Sequence, residues 1–191
     1  MPPRKAGLVS AEAVRYSCGM HPFEKLIEET KAISAFSGWS APEAETGYIW
    51  FDAPLEIGGV TERGFVLHGG SYIDKPESHV SFEMRVSRSP GRRCVPLARI
   101  DWRSLQGGHT NPRVGGSDWS GIRVGNTHFH TFELNWSPES GRMRRGGLRQ
   151  AMEIDQEPQS FTELRDFVGN RFKINNMNVV TEPPWEYRLD I

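Results

Sequence analysis

The sequence predicts an α+β fold: one curved antiparallel sheet of five or six strands with helices packed on one face. Three observations lead there. Over residues 79–87, Val80, Phe82, Met84 and Val86 alternate with Ser81, Glu83, Arg85 and Ser87, as in a strand with one buried and one wet face. Several strand-like segments follow one another through the middle of the chain, and links of hairpin length after Gly58 and Pro90 favour antiparallel pairing. Helical periodicity is confined to the regions before and after them.

In chain order, residues 1–9 carry Pro2, Pro3, Arg4 and Lys5 without periodicity and read as a disordered tail, leaving 10–191 as a single domain. A short helix over 11–15 takes Ser10 as its N-cap. A longer helix starts at Pro22, because a proline loses nothing in a first turn whose N–H groups are unpaired anyway. Phe23, Leu26, Ile27, Ile33 and Phe36 approximate its period, Glu24, Glu28 and Glu29 lie toward its positive end, and Gly38 stops it. Strands are expected at 48–53, where Pro54 breaks or bends the run, and at 64–68, 79–87, 95–102, 127–136 and 172–180. Between the last two lies a helix over 161–168, with Ser160 and Glu163 as a capping box and Gly169 past its end.

Composition narrows the function classes. With 191 residues, 37% hydrophobic and 25% charged, the chain is neither collagen-like, coiled-coil nor disordered. It holds no apolar run long enough to span a membrane. Two cysteines, Cys18 and Cys94, are too few for a disulfide framework, which predicts a reducing, cytoplasmic setting. The net charge of −1 says little, but its distribution is uneven. Residues 85–149 hold 12 Arg and 4 acids, and residues 151–191 hold 4 basic and 8 acidic side chains. Arginine outnumbers lysine 18 to 5, and a guanidinium can grip a phosphate or carboxylate through two parallel bonds. An anionic small molecule or a nucleic acid is the ligand class this suggests. The competing reading is an acidic tail packed on a basic middle. There is no GxxxxGK[ST] phosphate loop and no GxSxG elbow.

The chemistry-bearing feature is the expected strand at 127–136, where His128 and His130 are two apart and leave the same face. Before it, residues 103–126 form a 24-residue segment with six glycines, long enough for a functional loop. Two imidazoles on one face can share a metal ion. His109 in the long loop is the first candidate for a third ligand, and Asp101 and Glu133 are weaker ones. A divalent ion such as zinc is the implied cofactor. Without metal, His128, His130 and His109 can act as acid–base groups, with Arg123, Arg144, Arg145 and Asn111 binding the anion. The third reading is structural: paired histidines that only bond to neighbouring carboxylates or carbonyls.

The series Arg99-Ile100-Asp101, His109-Thr110-Asn111-Pro112 and Thr127-His128-Phe129-His130 resembles uncharacterised bacterial families with an R-h-D strand, an H-x-N-P stretch and an H-x-H strand. The resemblance covers residues 95–136 and implies an association with mobile elements or toxin–antitoxin cassettes, with no established activity. Together these features predict a bacterial protein that binds or hydrolyses a phosphate-containing or nucleic-acid ligand in a His/Arg pocket. The alternative is a non-enzymatic interaction module, antitoxin- or immunity-like, with a protein partner and purely structural histidines.

Overall fold

The computed structural model describes residues 21–87, 93–113, 117–144 and 146–187. The expected tail, the Ser10-capped helix, Cys18 and Arg145 lie outside them. Nine strands are described: β1 (Lys31–Ile33), β2 (Tyr48–Ile57), β3 (Val60–Tyr72), β4 (Val80–Val86), β5 (Val95–Trp102), β6 (His128–His130), β7 (Trp136–Ser137), β8 (Arg142–Met143) and β9 (Met152–Glu153). The α-helices are α1 (Glu24–Glu28), α2 (Phe132–Asn135) and α3 (Phe161–Phe172). Seven strands form one sheet in the order β1-β2-β3-β4-β5-β6-β9, every pair antiparallel, while β7 and β8 form a separate ribbon. The sheet is therefore larger than expected, and the described chain is richer in β structure than an α+β fold. No described helix is long and apolar enough to cross a membrane.

Local chemistry explains the central strands. Gly58 and Gly59 have φ of 59° and 78° and link β2 to β3, since the tightest hairpin turn needs positive φ at both central residues. With that turn in place β2 runs on through Pro54 to Ile57, its register shifting between Pro54 and Glu56 instead of ending there. Along β4 the burial alternates strictly, as the apolar–polar pattern requires.

The strand expected at 64–68 extends to Val60–Tyr72, paired along β2 and β4, and four further expected elements differ. The helix expected up to Gly38 stops at Glu28, because Lys31–Ile33 pairs with the end of β2 as an edge strand. The Asn176 carboxamide secures that edge by accepting from Ile33 N at 2.7 Å and donating to Ile33 O at 3.0 Å. The strand expected at 127–136 is interrupted after His130, because the Thr131 hydroxyl accepts from Leu134 N at 3.3 Å and caps α2. Helix α3 runs past Gly169 to Phe172, and Lys173, at φ 56°, supplies its left-handed cap. That continuation leaves no strand at 172–180, where Ile174 bridges Lys31 and a short 3-10 turn follows.

The core follows the sheet register. Phe51, Gly69, Phe82, Ile100 and Phe129 form one cross-strand row. The four apolar members of that row join one buried cluster with Phe161, Leu164, Val168 and Phe172 of α3. One residue along each strand lies the row Asp52, His68, Glu83, Arg99 and His130. Because successive strand side chains alternate sides, this polar row faces away from the core.

Candidate functional site

The site grows out of the β5–β6 pairing. Register places Arg99 opposite His130 and Asp101 opposite His128, so the four share one sheet face. The loop after β5 folds back over that face as an irregular hairpin. Arg103 N donates to Thr127 Oγ1, and Ser104 N to Asn126 O, at 3.0 Å each. Further along, Val124 N donates to His109 O at 2.9 Å and Asn111 N to Ile122 O at 2.8 Å. Gly108 permits this approach, because a Cβ there would collide with the Val124 carbonyl. The hairpin lays His109 parallel to His130, with ring planes 7° apart and centroids 5.3 Å apart, and edge-on to His128 at 4.8 Å.

Hydrogen bonds assign a role to most of the ring nitrogens. A carbonyl can only accept, so His128 Nδ1 donates to Gly125 O at 2.8 Å and His130 Nδ1 donates to Gln150 O at 3.0 Å. His109 Nε2 lies 3.1 Å from Asn111 Oδ1. The Asn111 amide is oriented, because its oxygen accepts from Ala151 N at 2.8 Å while its nitrogen donates to Ala151 O at 2.7 Å and Trp119 O at 3.0 Å. His109 Nε2 is therefore the donor. Each imidazole thus has one nitrogen tied to a fixed oxygen.

The other nitrogens of the strand pair converge on one carboxylate. Asp101 Oδ2 lies 3.2 Å from His128 Nε2 and 3.1 Å from His130 Nε2. Arg99 Nε donates to the same oxygen at 2.9 Å, and Arg99 Nη2 donates to His130 Nε2 at 2.9 Å. Burial alone would raise the pKa of Asp101, but the bonds to His128 and His130 and the Arg99 guanidinium outweigh it and hold the carboxyl well below the usual range. Burial pushes His130 down to about 4 against the pull of Asp101, which keeps the ring neutral at pH 7. His109 is also lowered, first by burial and then by His128 beside it.

His109, His128 and His130 offer ring nitrogens that all lie within 4.8 Å of one another. Tetrahedral coordination at 2.0–2.1 Å needs about 3.3 Å between ligand atoms, so a bound ion would draw the rings together by roughly 1–1.5 Å. His128 and His130 are 4% and 1% exposed, whereas Asp101, Arg99 and His109 are half-buried and form the approach from solvent. The two histidines of the strand do not line an open pocket; the loop covers them.

The remaining sequence candidates scatter. Asn111 is buried and positions His109. Glu133 is exposed on α2, since the helix breaks strand parity. Arg123 is exposed, its main chain bridged to Thr110. Arg144 lines a cavity of about 730 Å3 together with Arg142, Arg149 and Gln150. No hydrogen bond among the described residues joins Arg123 or Arg144 to the histidines. Arg99 and Gln150 are the site residues that sequence reasoning misses. Arg99 was within reach, being two residues from Asp101 on a strand and so on its face; Gln150 carried no local signal, because its role is a main-chain carbonyl. Compared with known proteins, the chain matches no family model, no curated protein and no solved structure.

Proposed function

We propose that the protein binds a divalent transition-metal ion such as zinc on His109, His128 and His130, with Asp101 beside them, and acts on a phosphate-containing or nucleic-acid ligand. One observation carries this: three imidazoles each have one nitrogen held by a fixed oxygen and present ring nitrogens within 4.8 Å of one another. An outer hydrogen bond of that kind orients a metal-binding imidazole and raises its basicity. Nitrogen donors with one carboxylate suit zinc-class ions better than magnesium or calcium. Such an ion polarises a phosphoryl oxygen or lowers the pKa of bound water. Arg99, held by Asp101 and partly exposed, is the group that would meet the negative charge of the ligand. A reducing cytoplasm belongs to the same proposal, and Cys94 is free and exposed.

A second reading has an observation of its own. Asp101 and Arg99 already give His128 and His130 protein partners, as in a cluster that only fastens the loop to the sheet. In that case the protein is an interaction module that recognises a protein partner with its surface. Metal analysis of purified protein, zinc titration and hydrolysis of bis(p-nitrophenyl) phosphate separate the two. The metal reading expects one equivalent of bound ion and a hydrolytic rate lost in His128→Ala. Folded protein that takes up no zinc on titration would overturn it in favour of the structural cluster.

A further inference from the structure

The geometry points to a second site: the cavity bordered by Arg142, Arg144 and Arg149 takes the phosphate group of a small molecule. The cavity measures about 730 Å3, a volume that accommodates a ligand of mononucleotide size. Arg142, Arg144 and Arg149 are among the residues that line it, and no acidic residue is. Among the described residues none of the three is in an ion pair, whereas Arg85, Arg99 and Arg103 each have an acidic partner. Like charges gathered without a counter-charge raise the energy of the folded state, and a bound anion removes that cost.

Two atoms add an independent observation. Arg144 Nε is buried without a hydrogen-bond partner. Gln150 Oε1 is likewise unpartnered, on a side chain whose residue is only 1% exposed. The Gln150 amide is oriented by Nε2 donating to Pro112 O at 3.4 Å, so the oxygen is the group left over. Buried donors and acceptors almost always have partners, and these two, both on residues that line the cavity, lack them. Three guanidinium forks suit a doubly charged group with three peripheral oxygens better than a carboxylate with two. Ser137 and Ser140 add hydroxyls to the wall.

The site is held in shape by Asn135. Its side chain donates to Gln150 O at 2.8 Å and accepts from Gln150 N at 2.8 Å, while its own carbonyl accepts from Arg144 N at 2.7 Å. Wall and floor are thus locked to one residue. The proposal stands independently of the metal reading, although Gln150 O also holds His130.

The test is titration calorimetry of the full chain with AMP, inorganic phosphate and adenosine. We expect saturable binding of AMP, weaker binding of phosphate and none of adenosine. Arg144→Gln and the exposed Arg142→Gln should each weaken AMP binding about tenfold or more. His128→Ala should leave it unchanged, so failure of the metal centre and failure of this cavity are distinguishable. Absence of saturable AMP and phosphate binding at millimolar concentration overturns the proposal. So does unchanged affinity in folded Arg142→Gln, or a comparable loss in Arg123→Gln, which would mark diffuse attraction to a basic surface.

Discussion

The two faces of the main sheet share strands and hydrogen-bond ladders and differ by a shift of one residue. On one face Phe51, Phe82, Ile100 and Phe129 pack against each other and against α3. On the other, Asp52 receives a bond from Arg85 at 2.8 Å and lies 2.9 Å from His68, while Arg99 joins Asp101 to His130. The apolar face gains energy from area and contact, so its members are interchangeable within their volume. On the polar face each group is defined by a partner, and deleting one strands the other. The contrast teaches that stability is concentrated on one side of this sheet and candidate chemistry on the other.

That contrast can be broken at its strongest point first. Phe82 is fully buried between the Phe51 and Phe161 rings, so Phe82→Ala should cost about 3–5 kcal/mol in urea unfolding. The metal stoichiometry of the molecules that stay folded should not change. His130→Ala is the opposite case: about 1–3 kcal/mol of stability, from losing the buried bonds of the ring to Gln150 O and Arg99, with complete loss of tight zinc binding. A variant of Phe82 that lost metal without unfolding would dissolve the division between faces.

The pH dependence of stability sharpens it. His130 has a folded pKa of about 4 and an unfolded value near 6.5, so the unfolded chain binds the proton more readily. Its contribution is complete above about pH 6.5 and declines as pH falls toward 4. Asp101, also lowered, adds its loss below about pH 4. Metal-free protein should therefore be about 2–3 kcal/mol less stable at pH 4.5 than at pH 7.5, and His130→Asn should flatten that slope. Equal slopes in thermal melts of the two proteins would remove His130 as the source.

Smaller effects follow from the neighbours. Arg99→Gln removes a cation that competes for the His130 lone pair, so zinc affinity should rise about tenfold while phosphodiester hydrolysis falls. Asn111→Ala frees the His109 ring and should weaken zinc binding about 10-fold, read by competition with a chelator. Least of all, Ser160→Ala removes the α3 cap and should cost about 1 kcal/mol with no effect on metal.

Strand β5 was readable to its last residue, and β4 to within one at each end, because alternation is a local property of a half-buried strand. The α3 cap was equally local: Ser160 accepts from Glu163 N, although the Glu163 carboxylate returns to Gln159 N, one residue away from the expected partner. Ile33 and Phe36 misled, since a 3.6-residue spacing is also met by apolar side chains on extended chain that reaches the same core. Residues 172–180 carried β-branched and apolar residues whose partners lie on β1 and α3, which no local window contains.

Alternation and turn chemistry alone determined that this chain builds an antiparallel sheet and that His128 and His130 leave it on the same side. Backbone geometry imposes both within a few residues. Only the tertiary fold decided that Asp101 and Arg99 stand opposite those rings, that a glycine-rich loop returns His109 over them, and that Gln150 holds one by its carbonyl. These are contacts between residues about 20–30 positions apart, and they exist only once the core row has set the register of the strands.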